Sequence, residues 1–362
     1  MTRRTFLGTV AAGTAGLAAY PALGVSRQSG PNANRLVIDG LGEIHLDYEP
    51  ALLDEMRASG MRGCVITLGN PALHGPSAFD DMKQELDAYD AHITKNPERL
   101  SKATSVANLD RARERGTIGL VYYTQNATPI QDDLGRLKTL YGMGIRIVQL
   151  TYNTRNLVGD GCLERTNAGL SNFGIGVVAA MNQMNMLVDL SHCGAATTLD
   201  GIRLSKKPVA ITHSSCQAVF DHPRAKSDEA LRALADRGGV VGIFQINPYL
   251  GAKDRNTLDD FLRHVDHAVK VAGIEHVGIG SDREHRRIPD TEEEKQKLIA
   301  ELSRLRPVTA STFRWPFFIA ELNHPRRMDT IADGLAKRSY KAADVDKILG
   351  QNFYRLFRET IG

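Results

Sequence analysis

The sequence lacks the features that would assign it to several common classes of protein. Lysine and arginine number 45 against 42 acidic residues, so no basic excess is available to attract a nucleic acid. No Gly-x-Gly-x-x-Gly follows the first predicted strand, which removes the main argument for a dinucleotide-binding fold. No stretch reaches about 18 uninterrupted apolar residues, so no stable membrane span is expected. With 42% hydrophobic and 24% charged residues, the chain is instead expected to be globular.

The N-terminus resembles a twin-arginine export peptide. Arg3 and Arg4 precede an apolar run of small residues that extends to about Ala19, and a small-residue cleavage signal ends at Gly24. We therefore expect residues 1–24 to be removed and the mature protein to work in the periplasm. The alternative is a chance arginine pair on an apolar N-terminus. Because this pathway carries folded proteins, often with a cofactor already bound, it favours a bound metal.

Cysteine is scarce, with four residues in the whole chain. No C-x-x-C motif is present, which argues against a structural zinc knot. Cys193 and Cys216 each follow a predicted strand that ends in histidine. An oxidising compartment would permit a disulfide between these two cysteines.

Short runs of β-branched residues alternate with amphipathic stretches along the chain. Several of the amphipathic stretches end in glycine, which is typical of the C-terminal end of a helix. Continuous apolar strands that alternate with helices predict a parallel sheet covered on both faces. The eight predicted strands fall within residues 35–40, 63–69, 116–126, 145–153, 186–192, 208–214, 239–247 and 276–282.

A count of eight strands favours closure into an α/β fold of the (β/α)₈ TIM-barrel type over an open, doubly wound sheet. The chain shows no linker and no internal repeat, so residues 25–362 are expected to form one domain. The part from about Arg286 to Gly362 is expected to continue as helices. Within it, the aromatic stretch 312–323 is suited to pack over a barrel opening.

Polar side chains follow the predicted strands. In a (β/α)₈ barrel the chemistry lies at the carboxyl ends of the strands, because strand ends and loops converge there. A single polar strand end is usually a cap or a turn, whereas a series with two histidines, two acids, an amide and a phenol predicts an active site. The series is Glu43, Thr67, Gln125, Tyr152, His192, His213, Asn247 and Asp282.

Two histidines at consecutive strand ends are the most specific signal in the sequence. His192 and His213 are expected to point into one opening of the barrel, where neutral imidazoles suit a zinc ion. Asp282 on the last strand suits a general base or a metal ligand; its alternative roles are a helix cap or an ion-pair partner of Arg283. Just beyond it, His285 either supplies another imidazole or belongs to a solvated charged turn.

Segments around these residues resemble the membrane (renal-type) dipeptidase family of zinc peptidases. The resembling segments read "LTYNTRNLVGDGCLERTNAGLSNFG", "MLVDLSHC" and "PVAITHSSCQAVFDHPRAKSDEALRALADRGGVVGI". The resemblance extends from the first strand to "ILGQNFYRLF" near the C-terminus. It implies a (β/α)₈ barrel of the amidohydrolase type, with two zinc ions that activate a bridging hydroxide against a dipeptide amide. It also implies a homodimer.

Four positions match functional residues of that family. By resemblance, His192 and His213 hold one zinc ion, and Asp282 binds the other and handles the proton. Arg224 corresponds to the arginine that grips the substrate carboxylate, a task suited to a bidentate guanidinium.

Other positions depart from the family pattern. Residues 39–43 read "DGLGE" where the family has "DGHND", so that Leu41 cannot bind metal and Glu43 is a longer carboxylate. Gln125 occupies the place of a metal-bridging glutamate, and a neutral amide lacks the charge that offsets the repulsion between two dications. Tyr152 replaces a histidine that polarises the substrate, and its O–H is able to polarise a carbonyl instead.

These departures predict at most one tightly held zinc, bound by His192 and His213 with Gln125 or Glu43. Three functions compete for the chain. The first is an exported hydrolase of a dipeptide or similar small amide whose free carboxylate is held by Arg224. The second is a protein without peptidase activity that binds a small molecule or assists periplasmic maturation, and the third is a metal-dependent lyase or isomerase. Candidate substrate-binding residues are Arg224, Tyr152 and Asn247, and candidate catalytic residues are Asp282 and Tyr152.

Overall fold

A computed structural model describes residues 35–304 and 313–362 of the chain. The predicted export peptide at residues 1–24 lies outside the described residues. None of the described helices is long and apolar enough to cross a lipid bilayer.

The strands form one parallel sheet that follows the chain order around a barrel. Their spatial order is β1, β2, β4, β5, β6, β7, β8 and β9, and β3 is added beside the first half of β4. The eight predicted strands are confirmed, whereas β3 was missed because "LSK" is too short and too polar to indicate a strand. The bounds are β1 Val37–Asp39, β2 Met61–Thr67, β3 Leu100–Lys102, β4 Ile118–Thr124, β5 Ile145–Gln149, β6 Leu187–Asp189, β7 Ala210–Ser214, β8 Val240–Ile243 and β9 Val277–Ile279.

Backbone hydrogen bonds just beyond the strand ends bring β1 and β9 together and close the barrel. The amide of Gly40 donates to the carbonyl of Ile279 at 2.8 Å, and the amide of Asp282 donates to the carbonyl of Leu41, also at 2.8 Å. Farther along, Glu43 and Glu284 form a parallel bridge. The predicted (β/α)₈ barrel is therefore confirmed, and its seam lies between the first and last strands.

Helices surround the barrel, and the sequence marks several of their ends. Ser171 and Ser227 accept hydrogen bonds from backbone amides at the starts of α5 and α7. Gly116 and Gly144 end α3 and α4 in the left-handed conformation that glycine adopts without penalty. The first eight helices are α1 Pro50–Ala58, α2 Pro76–Lys95, α3 Val106–Arg115, α4 Gly135–Met143, α5 Asn172–Gln183, α6 Ala195–Leu204, α7 Asp228–Asp236 and α8 Leu258–Ala272.

The described residues of the C-terminal part contain four further helices. These are α9 Glu292–Leu302, α10 Arg327–Lys337, α11 Ala342–Asp346 and α12 Asn352–Thr360, with a π-helical turn at Lys347–Gln351 between the last two.

Small and branched apolar side chains fill the barrel interior, and α12 seals its amino-terminal end. Phe353 approaches β1 and β9 so closely that a Cβ at Gly40 or Gly278 would lie 2.3 Å or 2.6 Å from its ring. Glycine at these two positions is what lets the helix close the barrel. The interior cluster is Ile38, Leu41, Val65, Val121, Tyr123, Ile147, Leu187, Ala210, Val240 and the α12 residues Phe353, Leu356 and Phe357, with Ala103, Val106, Leu109 and Ile361 at its margin.

Candidate active site

A cavity of about 190 Å³ opens at the carboxyl ends of the strands, and we call it the mouth cavity. Apolar residues that follow β8 and β9 frame it, among them Tyr249 and Phe317. Tyr249 and Phe317 pack edge to face at 6.4 Å, so the predicted aromatic stretch does cover this opening. The polar lining includes Glu43, Gln125, Tyr152, His192, Arg224 and Asp282.

His192 and His213 lie side by side; His192 lines the mouth cavity, whereas His213 is not among its lining residues. Their ring centroids are 5.0 Å apart with the rings edge to face, and both residues are buried. Nδ1 of His192 lies 2.8 Å from Oδ1 of Asn153, and Nδ1 of His213 lies 2.9 Å from Oγ1 of Thr212. Because each Nδ1 is engaged in this way, Nε2 is the nitrogen that each ring offers to a metal. Burial also holds the pKa of His213 well below its usual value, so that imidazole is neutral and able to act as a ligand.

A buried aspartate beneath the histidines fixes one of them. Asp189, at the end of β6, accepts hydrogen bonds from the amide of Thr212 at 2.8 Å, from Oγ of Ser191 at 2.7 Å and from the hydroxyl of Tyr123 at 2.8 Å. Thr212 in turn bonds the ring of His213, so Asp189 orients that imidazole through one intermediate. Sequence reasoning missed Asp189, although an acid within the apolar run "LVDL" was a visible signal.

Gln125 and Tyr152 flank the histidines on the cavity side. The amide nitrogen of Gln125 lies 3.2 Å from Nε2 of His213, and in either orientation of its amide Gln125 presents one polar atom to that ring. The ring of Tyr152 stacks on that of His192 with centroids 4.3 Å apart. Both predicted residues therefore lie next to the histidine pair.

Asp282 faces the mouth cavity from the turn that follows β9. Its backbone has φ of +54°, a left-handed conformation that is uncommon for a residue with a side chain. Loss of hydration raises the pKa of Asp282 to about 8, and the neighbouring carboxylates Glu43, Asp39 and Asp189 add to this rise while Arg224 opposes it.

Arg224 is buried at the cavity wall. Its Nη1 donates to the carbonyl of Ser191 at 2.6 Å, so that part of the guanidinium braces the strand end that carries His192. No carboxylate of residues 35–304 or 313–362 lies within ion-pair distance of Arg224. An arginine in this setting suits an anionic group of a ligand, which is the role that the family resemblance implies.

The predicted ligand set of five residues is not brought together. Glu43 lines the mouth cavity, but its carboxylate lies 3.5 Å from Nε2 of His45 and is almost half exposed. Nowhere in the described part of the chain do three or more His, Cys, Asp or Glu side chains converge closely enough to hold a metal ion. The preassembled donors are two imidazoles and an amide, a set that suits a borderline metal ion.

Asn247 does not belong to the site, which corrects the substrate-binding prediction. It is fully buried, and its side-chain nitrogen donates to the carbonyls of Asp254 and Pro316 at 2.7 Å and 2.5 Å. Its side-chain oxygen accepts from the amide of Asn256 at 2.8 Å. Every polar atom of the side chain is therefore used to fasten loops.

One further expectation is wrong, and a disulfide that the sequence left open is not formed. His285 is fully buried rather than part of a solvated turn, and it does not line the mouth cavity; its Nε2 lies 3.7 Å from Oδ2 of Asp39. Cys193 and Cys216 are free thiols. The hydroxyl of Thr151 contacts the first at 3.3 Å, and the second contacts the carbonyl of His264, also at 3.3 Å, so each thiol has its own separate partner.

The fold and the histidine pair together define the chain as a barrel of the metal-dependent hydrolase type. Residues 38–306 match the family model described as membrane dipeptidase (peptidase family M19). The chain belongs to this family of metallopeptidases, and membership implies a metal cofactor.

Individual relatives agree with this assignment. A dipeptidase of Clonostachys rogersoniana, verJ, is 35% identical over 201 residues, which is 55% of this chain and 52% of that protein. The chain thus matches about half the length of this curated relative. The structure of an amidohydrolase from Pseudomonas aeruginosa is 30% identical, with a TM-score of 0.80 over 91% of this chain and 97% of that one. A metallopeptidase from Rhodobacter sphaeroides, solved with a phosphinate mimic of L-Ala-D-Ala, has the same fold, with 19% identity and a TM-score of 0.68 over 90% and 99% of the two chains.

Proposed function

We propose that the chain is an exported zinc-dependent hydrolase that cleaves a dipeptide or a similar small amide with a free carboxylate. The observation that carries this proposal is the histidine pair, in which a neighbouring oxygen engages each Nδ1. Arg224 lies in the same cavity wall as His192 and has no carboxylate partner among the described residues. Family membership supports the reaction class.

His192 and His213 are the residues that would hold the ion. A zinc ion bound there would polarise a carbonyl and lower the pKa of a coordinated water. Gln125, 3.2 Å from Nε2 of His213, is the nearest side chain able to complete the ligand set through its amide oxygen. Leu41 and the neutral Gln125 leave the family's second ion without a ligand and without its bridging charge, so we propose one ion per chain.

The chain's own residues bind and orient the substrate. Arg224 receives the free carboxylate, which places the amide towards the histidine pair. Tyr152, held against His192, donates its O–H to the carbonyl oxygen on which negative charge develops. Asp282, with its pKa raised to about 8, holds and transfers a proton near neutral pH.

Twin-arginine export supports a periplasmic setting, where the substrate would be a small peptide product. A homodimer is also part of the proposal, because the family resemblance implies it. Export is tested by fusing residues 1–24 to a reporter that functions only when it is exported folded, with Arg3 and Arg4 replaced by lysine as the control.

Hydrolysis is tested with purified, zinc-loaded protein on pairs of dipeptides that differ only in a free or amidated C-terminal carboxylate. We expect turnover of the free form, with KM at least about 100-fold lower than for the amide, because Arg224 loses its partner in the amide. Arg224→Met should remove most of this preference. Absence of turnover over a broad panel at zinc saturation would contradict the proposal and would favour a pocket that only binds its ligand.

A further inference from the structure

The turn that carries Asp282 is held from outside the barrel by one buried arginine. Arg327, the first residue of α10, is fully buried, and its guanidinium makes three hydrogen bonds to this turn. It donates to Oγ of Ser281 at 2.9 Å, to the carbonyl of Arg283 at 3.0 Å and to the carbonyl of Glu284 at 2.7 Å. Residues on both sides of Asp282 are therefore fixed by the same side chain.

A buried carboxylate on the first strand completes the arrangement. Asp39 accepts from the amide of Ser281 at 2.8 Å and from its hydroxyl at 2.6 Å. Oδ2 of Asp39 lies 3.8 Å from Nη2 of Arg327, and both side chains are fully buried. This network spans the seam where β1 and β9 meet, so closing the barrel and shaping the turn depend on the same groups.

The backbone of Asp282 needs such support. Left-handed φ is costly for a residue with a Cβ, and such conformations persist where the surroundings fix them. The amide of Asp282 itself makes one bond, to the carbonyl of Leu41 at 2.8 Å. The flanking contacts of Arg327, together with those of Asp39 to Ser281, supply further constraint.

We infer that Arg327 is a positioning residue that sets the conformation of Asp282 in the active site. The inference rests on the proposed function for the role of Asp282 in proton transfer, but the conformational part stands on the contacts alone. The C-terminal helices are thereby part of the site's construction, although none of their side chains in the described residues is needed to bind the ion at the histidine pair.

A purely structural role is the competing explanation, because Arg327 also neutralises Asp39 at the seam. The two roles separate in a double variant. Arg327→Met combined with Asp39→Asn removes both buried charges but keeps a side-chain oxygen at position 39 for the amide of Ser281. A charge-balancing role therefore predicts recovery of function, whereas a positioning role does not. Arg326→Met is the matched control, since Arg326 adjoins Arg327 but is partly exposed and pairs with Asp329.

Two measurements on the zinc-loaded full chain test the inference: amide hydrogen exchange over residues 280–285, and kcat and KM for a dipeptide cleaved by the wild type. In Arg327→Met we expect exchange at the amide of Asp282 to rise at least about tenfold and kcat to fall by about 100-fold, a loss that a 1 Å misplacement is able to cause. KM should change little and zinc content should be unchanged. Arg327→Lys should recover only part of kcat, because lysine cannot reproduce the forked donors.

In the double variant, we expect thermal stability to recover relative to Arg327→Met while kcat stays low. Wild-type exchange rates at residues 280–285 in Arg327→Met and Arg327→Lys, or full recovery of kcat in the double variant, would overturn the inference. If the wild type itself shows no turnover, the proposed function fails, and the exchange measurement still decides whether Arg327 sets the conformation of Asp282.

Discussion

The side-chain nitrogen of Gln125 lies 3.2 Å from Nε2 of His213, and the family resemblance of the sequence implies a metal-bridging glutamate at this position. A carboxylate at this position would present a charged oxygen to an ion held by the histidine pair. We expect Gln125→Glu to lower the dissociation constant of zinc by at least about tenfold. Changes to the ligands of a metal ion, or to the residues that hold those ligands, have effects of this size. Competition with a chromophoric chelator measures this, with the exposed Gln351→Glu at the opposite end of the barrel as the control. Equal zinc affinities in the wild type, Gln125→Glu and Gln351→Glu would contradict the placement of Gln125 next to the metal ion.

Asn153 holds the ring of His192 through Nδ1 at 2.8 Å. Asn153→Leu keeps the approximate volume but removes the acceptor, so the imidazole is no longer fixed in orientation or tautomer. Zinc affinity should fall by about 10- to 100-fold. Thr212→Val should have a similar effect through His213. If both variants bind zinc as tightly as the wild type, these contacts do not serve a metal.

Gly42 lies in a tightly packed, polar corner of the seam. A Cβ at this position would lie 2.9 Å from Oδ2 of Asp39, from Sγ of Cys64 and from Nε2 of His285. Gly42→Ala should therefore lower the free energy of unfolding by about 1–3 kcal/mol, as overpacking in a core does.

The matched control is Gly142→Ala within α4, where nothing lies within 4 Å of the added methyl. This change should raise the free energy of unfolding by about 0.5–1 kcal/mol, because alanine favours helix. Urea unfolding measures both values. A neutral or stabilising effect of Gly42→Ala would show that the packing around residue 42 accommodates a methyl group.

His264 on α8 makes the protein sensitive to acid. It is fully buried, its Nδ1 accepts from the amide of Cys216, and burial lowers its pKa from 6.5 to about 4. The unfolded chain therefore takes up a proton near pH 6.5 that the folded chain resists until about pH 4. The stability from this group is complete above pH 6.5 and is lost as the pH falls, by up to about 1.4 kcal/mol per pH unit.

His264→Gln removes this titration while retaining a side chain that forms hydrogen bonds. The difference in free energy of unfolding between pH 7 and pH 5 should be smaller in the variant than in the wild type, as measured by urea unfolding. Because His213 and His285 are also buried with lowered pKa values, some acid sensitivity should remain. Identical pH dependence in the two proteins would contradict the role of His264.

Local sequence patterns predicted the fold and the histidine pair, because a strand and the residue that ends it are recognisable from a few consecutive residues. His192 and His213 end consecutive strands, and adjacent parallel strands bring their ends together wherever the barrel forms. The presence of an ion, the role of each side chain and the export of the chain stay predictions.

Other parts of the site depend on contacts that the sequence does not display. Asn247 was misassigned because its side-chain amide donates to the carbonyl of Pro316, a contact between residues 69 positions apart in the sequence. Arg327 was missed because it meets the turn of residues 281–284 only after the C-terminal helices have packed. The burial of His285 was not predicted because its sequence neighbours are charged.

Metal analysis of the purified protein tests the central claim most directly. We expect about one zinc ion per chain at saturation, held tightly by the wild type and lost in both His192→Ala and His213→Ala, together with dipeptide hydrolysis. Asp282→Asn should retain the ion and lose turnover. Two tightly bound ions per chain, or an ion that survives removal of both histidines, would contradict the account.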